Sequence, residues 1–407
     1  MVNRMPLGLY ISVPFCRTKC SYCNFASDVF SKTAYQSYVA RVLEDISDAR
    51  QMATELGCIV LENADSVYLG GGTPSILDPS QLIRILDAVR EHFTVVPGAE
   101  ITVECAPGTL APALIETLLR GGVNRVSLGV QSFVDQEAAS VGRLHNRATV
   151  FEEIARLRAA GLDNINVDLI AGLPHQTAES WEFSLAETIA AGAPHVSVYM
   201  LEVDEDSRLG RELIAGGTRY HAHFVPDDDA TADFYLEACE RLNAAGIAQY
   251  EISNFARPGR ESRHNLKYWT RQPYLGFGVD AHSMLPSGRA PGEASRFSTP
   301  DSLDAYMNRV PHAVTPVSAQ AALEESFFLG LRLNRGVDLE LLRAQFGPDR
   351  VASSEPAIEE CGREGLLKRQ GATLRLTSRG RLLSNEVFAR FLAGKTNSGN
   401  QIRGSPR

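Results

Sequence analysis

The sequence predicts an α/β protein with a parallel sheet, followed by a small α+β domain. Residues 1–200 repeat one unit: a short β-rich run, a loop, an amphipathic helix and a glycine. Six such runs separated by helices indicate parallel strands joined by right-handed crossovers. From about residue 318 the pattern changes to helices, a short hairpin and a last helix. That order is typical of a winged-helix-like domain.

The six candidate strands are short, mostly apolar and rich in β-branched residues, as expected for strands buried on both faces. They are Leu9–Val13, Ser66–Leu69, Glu100–Glu104, Arg125–Val130, Asn164–Ile170 and His195–Leu201. They fit either an open doubly wound sheet or a partial (β/α) barrel. In both architectures ligands bind at the carboxyl ends of the strands. Functional residues are therefore expected on the loops that follow the strands.

Helical patterns fill the intervals between these strands. In 79–92 apolar residues recur at intervals of three and four, behind Asp78 as cap and Pro79 at the first helical position. Further helices are predicted at 33–56, 110–120, 148–160, 178–191 and 227–245. A glycine follows four of the helices and is expected to end the last turn in a left-handed conformation. These glycines are Gly57, Gly121, Gly161 and Gly192.

The chain is predicted to divide into four parts. The parallel core takes 1–225, an extension and linking region takes 226–315, the winged-helix-like domain takes 316–393, and 394–407 is a disordered tail. Within the third part, helices are predicted at 318–331, 338–346 and 354–364, a hairpin at 366–376 and a last helix at 378–393.

Composition and charge exclude several classes of function. Apolar residues make up 44% and charged residues 22% of the 407 residues, an ordinary globular balance. No apolar run reaches the roughly 18 residues of a membrane helix, and the first residues lack a signal-peptide pattern, so we expect a cytoplasmic protein. The net charge of −9 does not favour nucleic-acid binding. The basic segment 361–407 is interpreted as a solvated face.

Three cysteines lie within eight residues, just after the first predicted strand: Cys16, Cys20 and Cys23. Cysteine thiolates hold iron–sulfur clusters, usually four of them, so three would leave one iron open to a substrate or cofactor. A structural zinc site normally needs four ligands, and an odd total of seven cysteines argues against a complete set of disulfides. We favour a cluster over these two alternatives.

The spacing of these cysteines, with Tyr22 before the third, resembles the signature of the radical SAM superfamily. Four other segments resemble its oxygen-independent coproporphyrinogen III oxidase group. They are Tyr10–Cys16, Gly70–Pro74, Gln131–Phe133 with Gly142–His145, and Asp168–Pro174. The resemblance spans about residues 7–390. It implies a partial (β/α)6 radical SAM barrel that carries a [4Fe–4S] cluster on Cys16, Cys20 and Cys23 and binds S-adenosylmethionine (SAM) at the open iron.

The resemblance also assigns SAM contacts to residues that follow strands. Gly71, Gly72 and Thr73 are implied to contact the methionine end of SAM, where glycines allow a close approach. A tight turn in which Thr73 caps the next helix is the alternative. Glu104 ends the third strand, where its carboxylate can accept hydrogen bonds from the ribose hydroxyls.

Five more residues complete the implied SAM site: Tyr10, Tyr22, Gln131, Arg143 and Asp168. The family places an aromatic residue at the position of Tyr22 against adenine. Asp168 lies within an otherwise apolar strand, and a buried charge is costly without a partner. Arg143 is the candidate partner, unless both side chains face polar groups of SAM.

Two features favour the haem chaperone branch of this group. The oxidase signature has a further cysteine two residues after the third cluster cysteine, where this chain has Phe25. The segment His264–Trp269 (HNLKYW) resembles the H-N-x-x-Y-W motif of the chaperone branch, which is associated there with haem. An imidazole can bind haem iron, and aromatic rings can pack on a porphyrin.

The resemblance therefore assigns haem to four residues: His264, Asn265, Tyr268 and Trp269. A hydrogen-bonded histidine with two packing aromatics is the alternative. His282 is a second candidate for the iron, whereas His221 and His223 are interpreted as part of a surface loop.

The function implied is a haem chaperone that binds the cluster, SAM and haem as cargo. Its expected partners are haem-accepting proteins, with respiratory proteins as one class, and a homodimer stays open. Oxidative decarboxylation of coproporphyrinogen III is the alternative function, and enzymatic activity is left undecided.

Overall fold

The computed structural model describes residues 5–59, 61–287 and 292–392; the predicted tail lies outside them. The strands of the main sheet are β1 (Leu7–Val13), β2 (Asn63–Gly71), β3 (Thr94–Cys105), β4 (Arg125–Gln131), β5 (Ile165–Ala171), β6 (His195–Met200), β7 (Ala248–Gln249), β8 (Asn254–Ala256), β9 (Tyr274–Phe277), β10 (His282–Pro286), β11 (Ala294–Ser298) and β12 (Ala313–Val317). A separate small sheet contains β13 (Val337–Asp338), β14 (Leu367–Gln370) and β15 (Thr373–Leu376).

The helices are α1 (Lys32–Glu55), α2 (Pro79–His92), α3 (Pro112–Arg120), α4 (Asp135–Ser140), α5 (Arg147–Ala159), α6 (Ala178–Ala190), α7 (Arg208–Ala215), α8 (Asp228–Ala244), α9 (Arg263–Trp269), α10 (Leu303–Met307), α11 (Ala319–Gly330), α12 (Leu339–Phe346), α13 (Pro348–Ala352), α14 (Glu355–Arg363), α15 (Ser378–Leu382) and α16 (Ser384–Ala389). Two 3₁₀ turns lie at Pro74–Ile76 and Ala222–Phe224. None of the helices described is long and apolar enough to cross a bilayer.

The predicted partial barrel is confirmed by the strand order. The first six strands pair in the order β1-β2-β3-β4-β5-β6, all parallel, and β9 adds a parallel strand beside β1. A doubly wound sheet would reverse its order at a switch point, and β1 to β6 contain no reversal. Because successive right-handed crossovers run in one direction, the helices cover one face. The sheet ends in β7 on one side and β12 on the other, so it stays open.

The strands are buried on both faces, as predicted, but their two faces differ in polarity. Successive side chains of a strand point to opposite faces, and polar and apolar residues alternate along β4 and along the first five residues of β5. Val126 and Leu128 pack into the large core under the helices. Ser127, Asn166 and Asp168 point the other way and hydrogen-bond to one another. The inner face of the barrel is therefore polar.

The helices agree closely with the predicted ranges. Helix α2 spans the predicted 79–92, and the N–H of Asp78 donates to Gln81 Oε1 at 3.0 Å at its start. The prediction for Gly121 is wrong by one residue. Gly121 has φ −71° at the end of α3, and the left-handed residue is Gly122, with φ 71°. Because Gly121 still continues the helical turn, the chain reverses only at its successor.

The C-terminal region has the predicted winged-helix-like order of helices and strands. Strands β13, β15 and β14 form a small antiparallel sheet, and Gly371 turns the hairpin with φ 60°. The predicted last helix is interrupted at Leu383, between α15 and α16. The predicted boundaries at 225 and 315 stay a prediction.

Residues 248–317 lie almost entirely within the predicted extension and linking region. They contain six short strands, β7 to β12, and two short helices. Strands β10 to β12 extend the sheet beyond β9, and β8 and β7 extend it beyond β6, all by antiparallel pairing. Helix α9 lies near the amino ends of β2 and β3, opposite the loop that carries the three cysteines. Elements this short leave little periodicity in the sequence.

Candidate cofactor site at the carboxyl ends of the strands

The cysteine loop follows β1 and is fixed by backbone hydrogen bonds. The N–H of Cys16 donates to Asp28 O at 3.0 Å, which closes the loop on itself. The N–H of Ser21 donates to Val141 O at 3.2 Å, and the hydroxyl of Thr18 donates to Gly142 O at 2.8 Å. The loop is therefore held against the connection that follows β4.

The three cysteines are free thiols that lie near polar side chains of other loops. Cys20 is buried and the other two are half-buried. The hydroxyl of Thr73 lies 3.7 Å from the Cys16 sulfur, and a guanidinium nitrogen of Arg143 lies 3.7 Å from the Cys20 sulfur. Burial raises the pKa of Cys16 and of Cys23. Thiolates at these positions therefore require compensating positive charge, which bound iron and Arg143 would supply.

The donor set fits an iron–sulfur cluster. Within the described part of the chain, no three His, Cys, Asp or Glu side chains group as ligands of one metal ion. A [4Fe–4S] cluster does not require such convergence, because each thiolate binds a different iron. Three cysteines on one loop would leave the fourth iron open.

The glycine turn after β2 packs directly on the start of the cysteine loop. The N–H of Gly72 donates to Val13 O at 2.9 Å, and a Cβ on Gly72 would come within 2.6 Å of that oxygen. Gly71 has φ 98°, which favours glycine. Thr73 stands at the cap position of the turn Pro74–Ile76, as the alternative has it, but its side chain accepts no capping hydrogen bond. The turn instead brings Thr73 to the cysteine loop.

The carboxylate of Glu104 lies inside the barrel next to this turn. It accepts a hydrogen bond from the Tyr68 hydroxyl at 2.7 Å and from the N–H of Gly71 at 3.2 Å. Burial, reinforced by the negative charge of Asp168, raises the pKa of Glu104 to about 7, although both hydrogen bonds oppose the rise. The group is therefore recessed beside the glycine turn, and its ionised form can accept the hydrogen bonds of a diol.

Asp168 is held by neutral donors rather than by Arg143, so that predicted pairing is wrong. The amide of Asn166 donates to Asp168 at 2.6 Å and the hydroxyl of Ser127 at 3.1 Å. Burial raises the pKa of Asp168, and the positive charge of Arg125 opposes the rise. Asn166 lies two residues before Asp168 on β5 and Ser127 lies on the neighbouring strand β4, whereas the loop after β4 directs Arg143 to the cysteines.

The side chains of Gln131 and Arg143 both pass close to Gly129, where a larger residue would leave them no room. A Cβ on Gly129 would lie 3.1 Å from the Gln131 amide nitrogen and 3.0 Å from a guanidinium nitrogen of Arg143. Gln131 ends β4 with φ 70°, an uncommon conformation for a residue other than glycine. Tyr10 stacks on Tyr68, with ring centroids 6.1 Å apart, which places it beside the glutamate.

Tyr22 joins the cysteine loop to the barrel rim. It packs on a small apolar cluster made of Val141, Ile170, Leu173 and Leu201. Burial raises its pKa well above the ordinary value. With Tyr22, seven of the nine SAM candidates and the three cysteines lie at or just beyond the carboxyl ends of the strands, whereas Tyr10 and Asp168 lie at the middle of β1 and β5. The assignment of the nine residues to SAM stays a prediction.

The four residues assigned to haem lie on α9, on the amino-end side of the barrel, with the His264 ring 6.3 Å from the Tyr10 ring and 5.3 Å from the Tyr68 ring. His264 is 1% exposed, with Nδ1 3.0 Å from Ser66 Oγ and Nε2 2.9 Å from the Tyr268 hydroxyl. Burial, together with nearby positive charge, lowers the pKa of His264 to about 3. Trp269 is also buried, with the Arg332 guanidinium 4.2 Å from its ring centroid. This geometry favours the alternative, a hydrogen-bonded core histidine with packing aromatics.

Charged groups anchor α9 in this position. The carboxylate of Glu100 accepts the N–H of His264 at 3.1 Å, and buried Lys267 forms an ion pair with Asp65 at 2.6 Å. The half-buried Asn265 donates its N–H to the cap of the helix, Ser262. To bind iron, His264 would have to give up a hydrogen bond.

Sequence patterns alone missed several residues of the inner face. Arg125 is 2% exposed among the acidic side chains, and His195 is bonded to Asn166 at 2.6 Å and to Tyr250 at 2.9 Å. The signal was present, because β4 and β5 alternate polar and apolar residues.

Comparisons with known proteins agree with this fold and site. Residues 10–187 match the family model of the radical SAM superfamily, and residues 317–383 match that of the HemN C-terminal domain. In structure the chain is similar to coproporphyrinogen III oxidase (HemN) from Escherichia coli, with a TM-score of 0.79 and 23% identity over 95% of this chain and 90% of that one. The fold and site define a radical SAM protein, a class that holds a [4Fe–4S] cluster and SAM.

Relatives of similar length narrow the class to one family. The chain is 33% identical to "Heme chaperone HemW" of Bacillus subtilis, over 94% of this chain and 98% of that protein. It is 34% identical to the protein of the same name from Mycobacterium tuberculosis, over 95% of each chain. It is 35% identical to the protein of that name from Escherichia coli, over 71% of this chain and 73% of that protein. The chain belongs to the HemW family.

Proposed function

We propose that this protein is a haem chaperone, which binds haem as cargo and transfers it to acceptor proteins. The main support is the similarity to relatives named Heme chaperone HemW over nearly the whole chain. Phe25 adds support, because the oxidase signature has a cysteine there, and its side chain is 43% exposed beside the cluster loop.

The residues at the barrel mouth have separable tasks in this proposal. A bound cluster with SAM supplies one-electron chemistry at the sulfonium group. Cys16, Cys20 and Cys23 would hold the cluster. Arg143 would balance the negative charge of the thiolates beside the cluster. Glu104 would accept hydrogen bonds from the hydroxyl groups of SAM.

Haem titration of the purified chain tests the proposal. The anaerobically reconstituted protein should give a saturable, shifted Soret band with ferric haem, and the loaded protein should pass haem to an apo-cytochrome of the respiratory type. An unchanged spectrum in both the apo and the reconstituted form would contradict the proposal. Size-exclusion chromatography with and without haem would test the homodimer.

Coproporphyrinogen III oxidation remains the less favoured alternative. The oxidase fold and the complete set of SAM candidates favour it. Anaerobic incubation with coproporphyrinogen III, SAM and a reductant separates the two functions. Loss of two propionate carboxyl groups from the substrate would favour the oxidase, and an unaltered porphyrinogen would favour the chaperone.

A further inference from the structure

Two histidines far apart in sequence form a pair near the barrel mouth. His175 follows β5 and His221 precedes the turn Ala222–Phe224. Nε2 of His175 lies 3.1 Å from Nδ1 of His221, across 46 residues of chain. Both residues have positive φ, 69° and 61°, which is uncommon outside glycine. His221 lies in a loop with exposed His223, as predicted, and its ring in addition contacts His175.

The backbone on both sides of the pair is fixed. The carboxylate of Glu212, on α7, accepts the N–H of Tyr220 at 2.8 Å and the N–H of Ala222 at 3.1 Å, which flank His221. The N–H of His175 donates to Phe224 O at 2.9 Å. The two imidazoles are therefore held in place by the chain around them rather than by their mutual contact alone.

The pair leaves one nitrogen available for a metal. A histidine that binds a metal usually has its other ring nitrogen hydrogen-bonded, which fixes the tautomer and the ring. Nδ1 of His221 has such a partner, and no residue in the described ranges bonds to its Nε2. His264 and His195 contrast with it, because each is buried with both nitrogens bonded.

The surroundings of the pair suit a flat apolar molecule. The ring of Phe224 stacks on His175, with centroids 4.2 Å apart and planes 26° apart, yet its side chain is 57% exposed. Two further apolar side chains of α7, Leu213 and Ile214, are 49% and 68% exposed. Exposed apolar side chains of this size are typical of an interaction surface, and Phe224 is the one that stacks on the pair.

Three arginines on α7 and in the loop after it carry the positive charge that a porphyrin dicarboxylate needs, and four acidic residues, Glu202, Asp204, Glu205 and Asp206, precede the helix. Arg208, Arg211 and Arg219 are exposed, and within the described residues none of them forms a salt bridge. Helix α7 also contacts the cysteine loop, because the N–H of Leu209 donates to Ser21 O at 2.8 Å. The surface is therefore continuous with the candidate cluster site.

We propose that His221 is the axial ligand of the haem cargo. Its Nε2 binds the iron, and its Nδ1–H donates to Nε2 of His175, which acts as a positioning residue. Phe224 and the apolar side chains of α7 contact the porphyrin, and the arginines face the two propionates. This inference rests on the proposed haem chaperone function and names the site of that cargo.

Titration of the full-length chain with ferric haem tests the inference. H221A should lose the histidine-ligated Soret band, and added imidazole should restore it, because free imidazole can occupy the vacated position. H223A is the matched control, since His223 is an exposed histidine two residues away, and it should titrate like the wild type. H175F should weaken binding by about 10- to 100-fold, as losses of a partner to a metal ligand do.

A second pair of variants keeps the test decisive if H221A does not fold. H175Q retains an acceptor for the Nδ1–H, so it should bind haem more tightly than H175F. Equal affinity of the two, or unaltered binding by folded H221A while the wild type binds haem, would overturn the inference and leave the chaperone function standing. Absence of a Soret shift in the wild type would instead contradict the function itself. Loss of binding in H264A but not in H221A would place the haem at α9.

Discussion

Arg143 reaches across 123 residues of chain to the sulfur of Cys20, with a guanidinium nitrogen 3.7 Å from it. The same guanidinium is hydrogen-bonded to the carbonyl of Gly129. The sheet therefore fixes the guanidinium of Arg143, and its positive charge points at the candidate cluster loop. A fixed positive charge beside thiolates and an anionic ligand stabilises both.

R143A should therefore weaken SAM binding to the reconstituted protein. Loss of a hydrogen bond to a charged group costs about 1.5–3 kcal/mol, or roughly 10- to 100-fold in affinity. Equilibrium binding of labelled SAM under anaerobic conditions measures the effect. R147A is the control, because Arg147 is a surface residue paired with Glu187. Equal affinity of R143A and R147A would show that Arg143 does not contact SAM.

The three loop cysteines should be individually required for the cluster. With three ligands in total, an alanine at Cys16, Cys20 or Cys23 leaves two, so iron content and visible absorbance after reconstitution should fall to background. C58A is the matched control, since Cys58 is half-buried outside this loop. Iron retention by C20A at the wild-type level would contradict the assignment.

Glu104 should make the stability of the SAM-free protein depend on pH. Its pKa is about 7 in the folded chain, against an ordinary value of 4.5. The folded state therefore keeps a proton that the unfolded state has lost, so stability is highest below about pH 4.5 and falls as the pH rises to 7. E104Q has no ionisable group at this position, so it does not lose stability in this way as the pH rises. Its stability relative to the wild type should improve by about 2 kcal/mol between pH 5 and pH 8.

Denaturant unfolding at the two pH values measures this difference. E116Q is the control, because Glu116 is exposed on α3 and its substitution should leave the pH dependence of the wild type unaltered. If E104Q and E116Q respond to pH in parallel, Glu104 is ionised at both values and its carboxyl does not limit stability.

Local sequence patterns were enough to predict the main helices and strands and the end of the barrel at which the candidate site lies. Helix α2 and the first six strands follow from apolar spacing and from the glycines and prolines between them. Because parallel strands end at one edge, the sequence alone could place residues as distant as Thr73 and Asp168 at the same end of the barrel.

The partners of individual side chains could not be predicted in the same way. The pairing of Gly8 with Tyr274 joins β1 to a four-residue strand far along the chain, and no local signal specifies it. Asp168 is bonded to Ser127 because β4 and β5 are in register, and to Asn166 two residues away on its own strand, whereas the sequence suggested Arg143. The burial of His264 is also a long-range result, since Ser66 is 198 residues away.

His264 should contribute mainly to stability. H264A would remove the partners of Ser66 and Tyr268 and leave a cavity at a fully buried position, which should lower the free energy of unfolding by about 2–4 kcal/mol. H223A, at an exposed histidine, should stay within about 0.5 kcal/mol of the wild type. Denaturant unfolding followed by circular dichroism compares the three proteins without haem. If H264A is as stable as the wild type, the hydrogen bonds of His264 do not fix α9 against the amino ends of the strands. The helix would then be free to open and offer its histidine to iron, as the H-N-x-x-Y-W resemblance implies.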